Sequence, residues 1–116
     1  MADAVFLRRG EGEVIAGSNR EIYVRYEGDE YEVLEFFCEA GFGPIEPHVH
    51  DNHTDSFFVI DGEVEFTIGD ETVRAGPGTW VAAPPGVRHG FFVPDGAHFL
   101  NIHAPGAGFV GRLRQE

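Results

Sequence analysis

Hydrophobic and polar residues alternate along much of this chain in short runs. The clearest is Glu63-Val64-Glu65-Phe66-Thr67-Ile68, which sets Val64, Phe66 and Ile68 on one face and Glu63, Glu65 and Thr67 on the other. Residues 21–27 alternate in the same way, with Ile22, Val24 and Tyr26 together. Residues 31–38 gather Leu34, Phe36 and Cys38 on one face, while Val33 and Phe37 fall on the other. Further strands are predicted over 5–8, 48–50, 56–61, 72–75, 79–83, 87–93 and 97–103. Asp61-Gly62, Gly69-Asp70, Gly76-Pro77-Gly78, Pro84-Pro85-Gly86 and Pro94-Asp95-Gly96 break these runs with residues that favour tight turns. No window of eleven or more residues carries a helical stripe free of Gly and Pro. Many short strands with regular turns predict an all-β domain, either a closed barrel or a double-sheet jelly roll. The barrel is expected over residues 21–105, with an N-terminal strand or extension over 1–20. Residues 106–116 are expected to be an irregular tail, with Arg112, Arg114 and Glu116 in solvent.

Composition narrows the function classes. The 116 residues are one domain's worth, and 42% hydrophobic content supports a packed core. All eight basic residues are Arg, against twenty acidic ones, for a net charge of −12. Without Lys there is no Schiff-base mechanism and no phosphate-binding P-loop. The acidic balance argues against nucleic acid and anionic membranes as partners. No apolar run approaches the ~20 residues of a membrane-spanning helix, and the first residues lack the apolar stretch of a secretory signal. Cys38, the single cysteine, has no intrachain partner, so a cytoplasmic location is expected. Its place in the Leu34, Phe36, Cys38 series reads as a small buried hydrophobe rather than a nucleophile.

The histidines are unevenly placed. Three of six fall within His48-Val49-His50-Asp51-Asn52-His53. On a strand, residues two apart share a face with backbones ~6.5 Å apart, so two imidazoles can converge on one ion. The alternative is a polar surface cluster on a loop. His98 and His103 lie on opposite faces of the last predicted strand by parity; one of them lining the cavity and both being structural are open alternatives. Arg88 should point away from the face of its neighbour His89. Core filling is the simpler role for Tyr23, Phe57, Phe66, Trp80, Phe91 and Phe99.

At these positions the chain resembles the cupins. Their first motif runs Gly, five residues, His-x-His, three or four residues, Glu, six residues, Gly. Here His48 and His50 supply His-x-His, Asp55 stands at the Glu position and Gly62 closes the motif. Phe42, between Gly41 and Gly43, takes the place of the leading Gly. The second motif runs Gly, five residues, Pro-x-Gly, two residues, His, three residues, Asn. Gly78, Pro84, Gly86 and His89 match it, and Val93 replaces the Asn. The resemblance implies a double-stranded β-helix, or jelly-roll barrel, holding one divalent transition metal per chain (Fe, Mn, Ni or Zn) on His48, His50, Asp55 and His89. Three imidazoles and a carboxylate suit such ions and leave positions for water, substrate or dioxygen.

Asp55 is one methylene shorter than Glu. Direct ligation, ligation through water and orientation of a histidine are its three open roles. His53 is a possible substitute ligand, expected instead to be an exposed turn histidine. Val93 is expected to remove a polar group near the mouth of the site. The run from His50 to Gly62 is similar to small cupins described as quercetin-dioxygenase-like. That likeness implies an oxidoreductase acting on a small enolic or phenolic substrate, with Asp55 as the base. Two alternatives stand beside it: a non-catalytic module holding a metal and a small ligand, and a metal-independent sugar isomerase or epimerase with a histidine base. A homodimer is expected, because Val33 and Phe37 suit burial against a second copy.

Overall fold

A computed structural model describes residues 3–116. Ten strands and one short helix follow in order: β1 Val14–Gly17, β2 Arg20–Glu27, β3 Glu32–Cys38, β4 Phe42–His48, β5 Thr54–Gly62, β6 Val64–Ile68, β7 Glu71–Ala75, β8 Trp80–Ala83, β9 His89–Val93, β10 Ala97–Ala104 and α1 Phe109–Arg114. The strands form a six-stranded sheet in the order β1-β2-β3-β10-β5-β8 and a four-stranded sheet in the order β4-β9-β6-β7. Every pairing is antiparallel. The two inner faces meet in one core, the jelly-roll arrangement that the alternating pattern predicts.

The period-two signal decides what faces inward. In β6, Val64 and Phe66 are buried; in β3, Leu34, Phe36 and Cys38; in β5, Phe57 and Val59. Phe58 and Ile60, between and beyond the last two, are exposed. Phe57, Phe66, Phe91 and Phe99 pack ring on ring at the centre, with centroid separations from 4.9 to 6.1 Å. Cys38 is buried, and burial pushes its thiol up to about 12, which suits a packing role. Gly62 has a positive φ of 77° where β5 turns into β6, and a side chain there would strike the backbone of Gly96.

Four expectations need correction. Residues 5–8 form no strand, and Phe6 is exposed. Of the predicted strand at 48–50, Val49 and His50 lie in a loop and only His48 is in a strand, as the last residue of β4. This strand tolerates Pro44 and Pro47 because it lies at a sheet edge and pairs only with β9, through a broken register. The C-terminal tail is ordered: α1 drives Val110 and Leu113 into the core, and Arg114 bonds both Glu13 and Glu27. Arg114 and Glu116 are therefore engaged in ion pairs rather than free in solvent. Six residues containing Gly111 are too few for a helical period to show in a sequence, and such a helix persists through tertiary packing.

Candidate metal centre

Four strand ends meet at one end of the barrel. His48 closes β4 and is paired in register with His89, which opens β9. Asp55 is the second residue of β5, paired with His103 near the end of β10. The loop between β4 and β5 carries His50 and His53 back over the same opening. The facing of the two sheets thus brings together residues 34 positions apart, His89 on β9 and Asp55 on β5, at 2.9 Å.

The two strand histidines share one local device. His48 Nδ1–H donates to the Glu46 carbonyl and His89 Nδ1–H to the Val87 carbonyl, each at 2.9 Å. Both donations turn Nε2 toward the centre, the orientation that a metal-binding imidazole needs. There His48 Nε2 stands 3.1 Å from His50 Nε2. Asp55 Oδ2 stands 2.9 Å from His89 Nε2 and 3.5 Å from His50 Nε2. One ligand atom from each of His48, His50, Asp55 and His89 lies within 4.8 Å of all the others. Metal–ligand bonds of ~2.1 Å place neighbouring donor atoms about 3.0–3.5 Å apart, so the separations suit one ion. With Nδ1 protonated, a neutral His89 would direct its Nε2 lone pair at the Asp55 carboxylate, and either a metal cation or a second proton on His89 relieves that conflict.

Electrostatics divide the cluster. Burial, then the neighbouring histidine His53, lowers the pKa of His50. Burial likewise lowers that of His53. At His89 burial opposes the charge, but the hydrogen bonds to Asp55 and the Val87 carbonyl outweigh it and the pKa is raised. Burial also acts to raise Asp55, yet the hydrogen bond from His89, the charge that His103 gains in acid and the hydrogen bond from Asn101 hold its carboxyl below the usual range. Asp55 is therefore a carboxylate at neutral pH.

Behind Asp55 runs a buried chain of hydrogen bonds with a fixed direction. Asn101 Nδ2 donates to Asp55 Oδ1 at 2.6 Å and to the Ser56 carbonyl at 3.0 Å. Both partners are acceptors, which settles the amide orientation. Asn101 Oδ1 must then accept from His103 Nε2–H, at 2.8 Å. His103 is 1% exposed, and burial takes its pKa down to about 4. Neutral and protonated on Nε2, it accepts at Nδ1 from His53 Nε2–H, 3.0 Å away. Asp55, Asn101 and His103 are thus locked in rotamer and tautomer, and His53, whose Nδ1 also lies 3.2 Å from the side-chain amide of Asn52, closes the chain.

The four residues singled out from the sequence are brought together. The shorter Asp55 reaches the cluster from the opposite sheet, with its Oδ2 2.9 Å from His89 Nε2. His53 is not an exposed turn histidine: it is 2% exposed and sits in the inner chain of hydrogen bonds. Of the last pair, His103 faces the interior, whereas His98 lies on the outer face against Glu35 at 2.5 Å. Val93 is not near the mouth: it is fully buried in the apolar core, opposite Phe42 at the far end of β9. Asn101 was missed, and its one sequence signal is the shared parity with His103.

A cavity of about 280 Å³ leads from these groups into the barrel. His48, Asp55 and Asn101 stand at one end, and Phe36, Phe57 and Phe91 are among its walls. A wider hollow of about 610 Å³, around Cys38, Asp95 and His98, lies away from the histidine cluster and shares Arg20 with the first cavity.

A family model described as a cupin domain matches residues 36–103. No curated protein matches the chain. Among solved structures, KdgF from Halomonas sp. is similar over 91% of this chain and 96% of its own, at 18% identity and a TM-score of 0.80. An RmlC-like cupin from Shewanella frigidimarina is similar over 89% and 92%, at 19% identity and a TM-score of 0.79. Streptomyces Pac13, described as a nucleoside dehydratase, is similar over 92% and 85%, at 18% identity and a TM-score of 0.71. At these identities the likeness is one of fold.

Proposed function

The chain belongs to the cupin family, and on that premise we propose that it binds one divalent transition metal on His48, His50, Asp55 and His89 and takes a small molecule into the adjoining cavity. The observation that carries this reading is the convergence of three imidazole Nε2 atoms and one carboxylate oxygen at the end of a Phe-lined cavity. Fe, Mn, Ni and Zn all suit this donor set. A bound ion would supply Lewis-acid polarisation of a substrate oxygen and open positions beside it.

The first activity we assign is that of a dioxygenase-type oxidoreductase acting on an enolic or phenolic substrate. The aromatic walls favour a flat, largely apolar molecule whose oxygen points at the histidine end. Backbone carbonyls hold His48 and His89, so the histidine end changes little when a substrate enters. Asp55 serves better as a ligand than as the base of this reaction. Its lowered pKa makes it a weak proton acceptor, and both of its oxygens already have partners.

Oxygen uptake tests the assignment. Protein reconstituted in turn with Fe(II), Mn(II), Ni(II) and Zn(II) is supplied with quercetin, acetylacetone or catechol in an oxygen electrode. The reading expects uptake matching substrate loss with at least one metal, and its loss in His89→Ala. Binding without oxygen uptake across that panel supports the non-catalytic module instead.

A further inference from the structure

The same cavity contains a cation that the metal-centred reading does not use. Arg20 opens β2, and its side chain lines the cavity together with His48 and Asp55 while only 12% exposed. Among the described residues no other Arg lines this space. Its partner is Glu116, whose carboxylate accepts from the Arg20 guanidinium at 3.2 Å and is 63% exposed. A guanidinium offers five N–H donors in a planar fork that fits a carboxylate with two parallel bonds. Among the described residues Glu116 is its one side-chain acceptor, so most of that capacity is unused. The Glu116 end of the pair is open to water, where an ion pair contributes little and can be displaced.

We propose that Arg20 anchors a carboxylate group of the ligand, and that Glu116 holds the same guanidinium until the ligand arrives. The recognised class is then a small aromatic or enolic carboxylic acid. Its anionic group sits on Arg20, its flat body lies between Phe36, Phe57 and Phe91, and its oxygen-bearing end reaches His48 and Asp55. In a chain with a net charge of −12, a single enclosed Arg provides the local attraction that the overall field denies to an anion. Exchange of Glu116 for the ligand also frees the residues that follow α1, coupling entry to a movement at the cavity rim.

The inference rests on this cavity being the ligand site of the proposed function. Benzoate and its uncharged analogue benzamide serve as probes, titrated by calorimetry and by the Arg20 Nε–H signal in nitrogen-15 spectra. Wild type, Arg20→Gln and Glu116→Gln are each measured as full chains, with and without one equivalent of Zn(II). Wild type should bind benzoate at least tenfold more tightly than benzamide. Arg20→Gln should lose about tenfold for benzoate and little for benzamide, consistent with a charge-assisted pair. Glu116→Gln should bind benzoate several-fold more tightly, because the competing carboxylate is gone. Equal binding of the two probes by wild type, or unchanged benzoate affinity in Arg20→Gln, overturns the proposal. Should Arg20→Gln not fold, Glu116→Gln decides alone, and unchanged affinity there overturns it. The Zn(II)-free arm keeps this result separate from the metal reading. Failure of metal uptake leaves the Arg20 comparison standing, and failure of the Arg20 comparison leaves metal uptake standing.

Discussion

His103 gives the buried hydrogen-bond chain a measurable pH signature in the metal-free protein. An unfolded histidine titrates near 6.5, whereas burial holds folded His103 at about 4. Folded protein thus resists protonation of a group that the unfolded chain protonates readily. Stability from this site is fully present above the unfolded value, and it declines as pH falls from about 6.5 toward about 4. Each pKa unit corresponds to about 1.36 kcal/mol, so acidification from about pH 7 to about pH 4.5 removes about 2 kcal/mol through His103. The side chain is 1% exposed, so solvent screening takes little from that figure. His103→Gln keeps a donor for Asn101 Oδ1 and an acceptor for His53 but has no group that titrates. Urea unfolding followed by far-ultraviolet circular dichroism, in the presence of chelator, should show wild type losing about 2 kcal/mol more than His103→Gln across that interval. His50, His53 and His89 titrate in both proteins and largely cancel, and Asp55, held below its usual range, stays a carboxylate across the interval. Parallel pH profiles for the two proteins would refute the buried neutral histidine and the tautomers derived from it.

Further outcomes follow from other parts of the structure. Leu113→Ala removes a core contact of α1 and should cost about 2–4 kcal/mol in urea unfolding, whereas a cost near zero means that the helix does not pack as described. Metal binding needs neutral imidazoles, so the melting temperature of Zn(II)-loaded protein should exceed that of chelated protein by several degrees near pH 8; the gap should close toward about pH 5, and one that persists there argues against a histidine-built site. Phe37, Phe58, Ile60 and Trp80 leave apolar surface exposed on the six-stranded sheet, which suits a second copy of the chain; light scattering should report a dimer at tens of micromolar, and a monomer contradicts this.

The barrel is legible in the sequence wherever a strand has one wet and one dry face. β6 and β3 show it best, because Val64 and Phe66 in one and Leu34, Phe36 and Cys38 in the other are apolar and buried at alternate positions. β4 hides behind its prolines, β1 is a four-residue edge strand, and α1 is too short to show a period. The ligand candidates are legible because the cupin motifs combine a local spacing, His48 to Asp55, with a remote residue, His89. Asn101 and His103 escape because their role depends on β10 lying beside β5, a pairing that no local pattern encodes. His53 misleads because its neighbours Asp51 and Asn52 are polar and exposed, while its own ring turns inward to His103.

The central claim is that three imidazoles and Asp55 act as one set on one ion. Metal analysis of protein purified without an affinity tag, by inductively coupled plasma mass spectrometry, tests it most directly. The account predicts close to one divalent transition ion per chain after reconstitution and desalting. It predicts loss of that ion in His48→Ala, His50→Ala and His89→Ala, and retention in His53→Ala. A wild-type chain that retains no metal, or a His53→Ala variant that loses it while Asp55→Ala does not, would contradict the site as assigned.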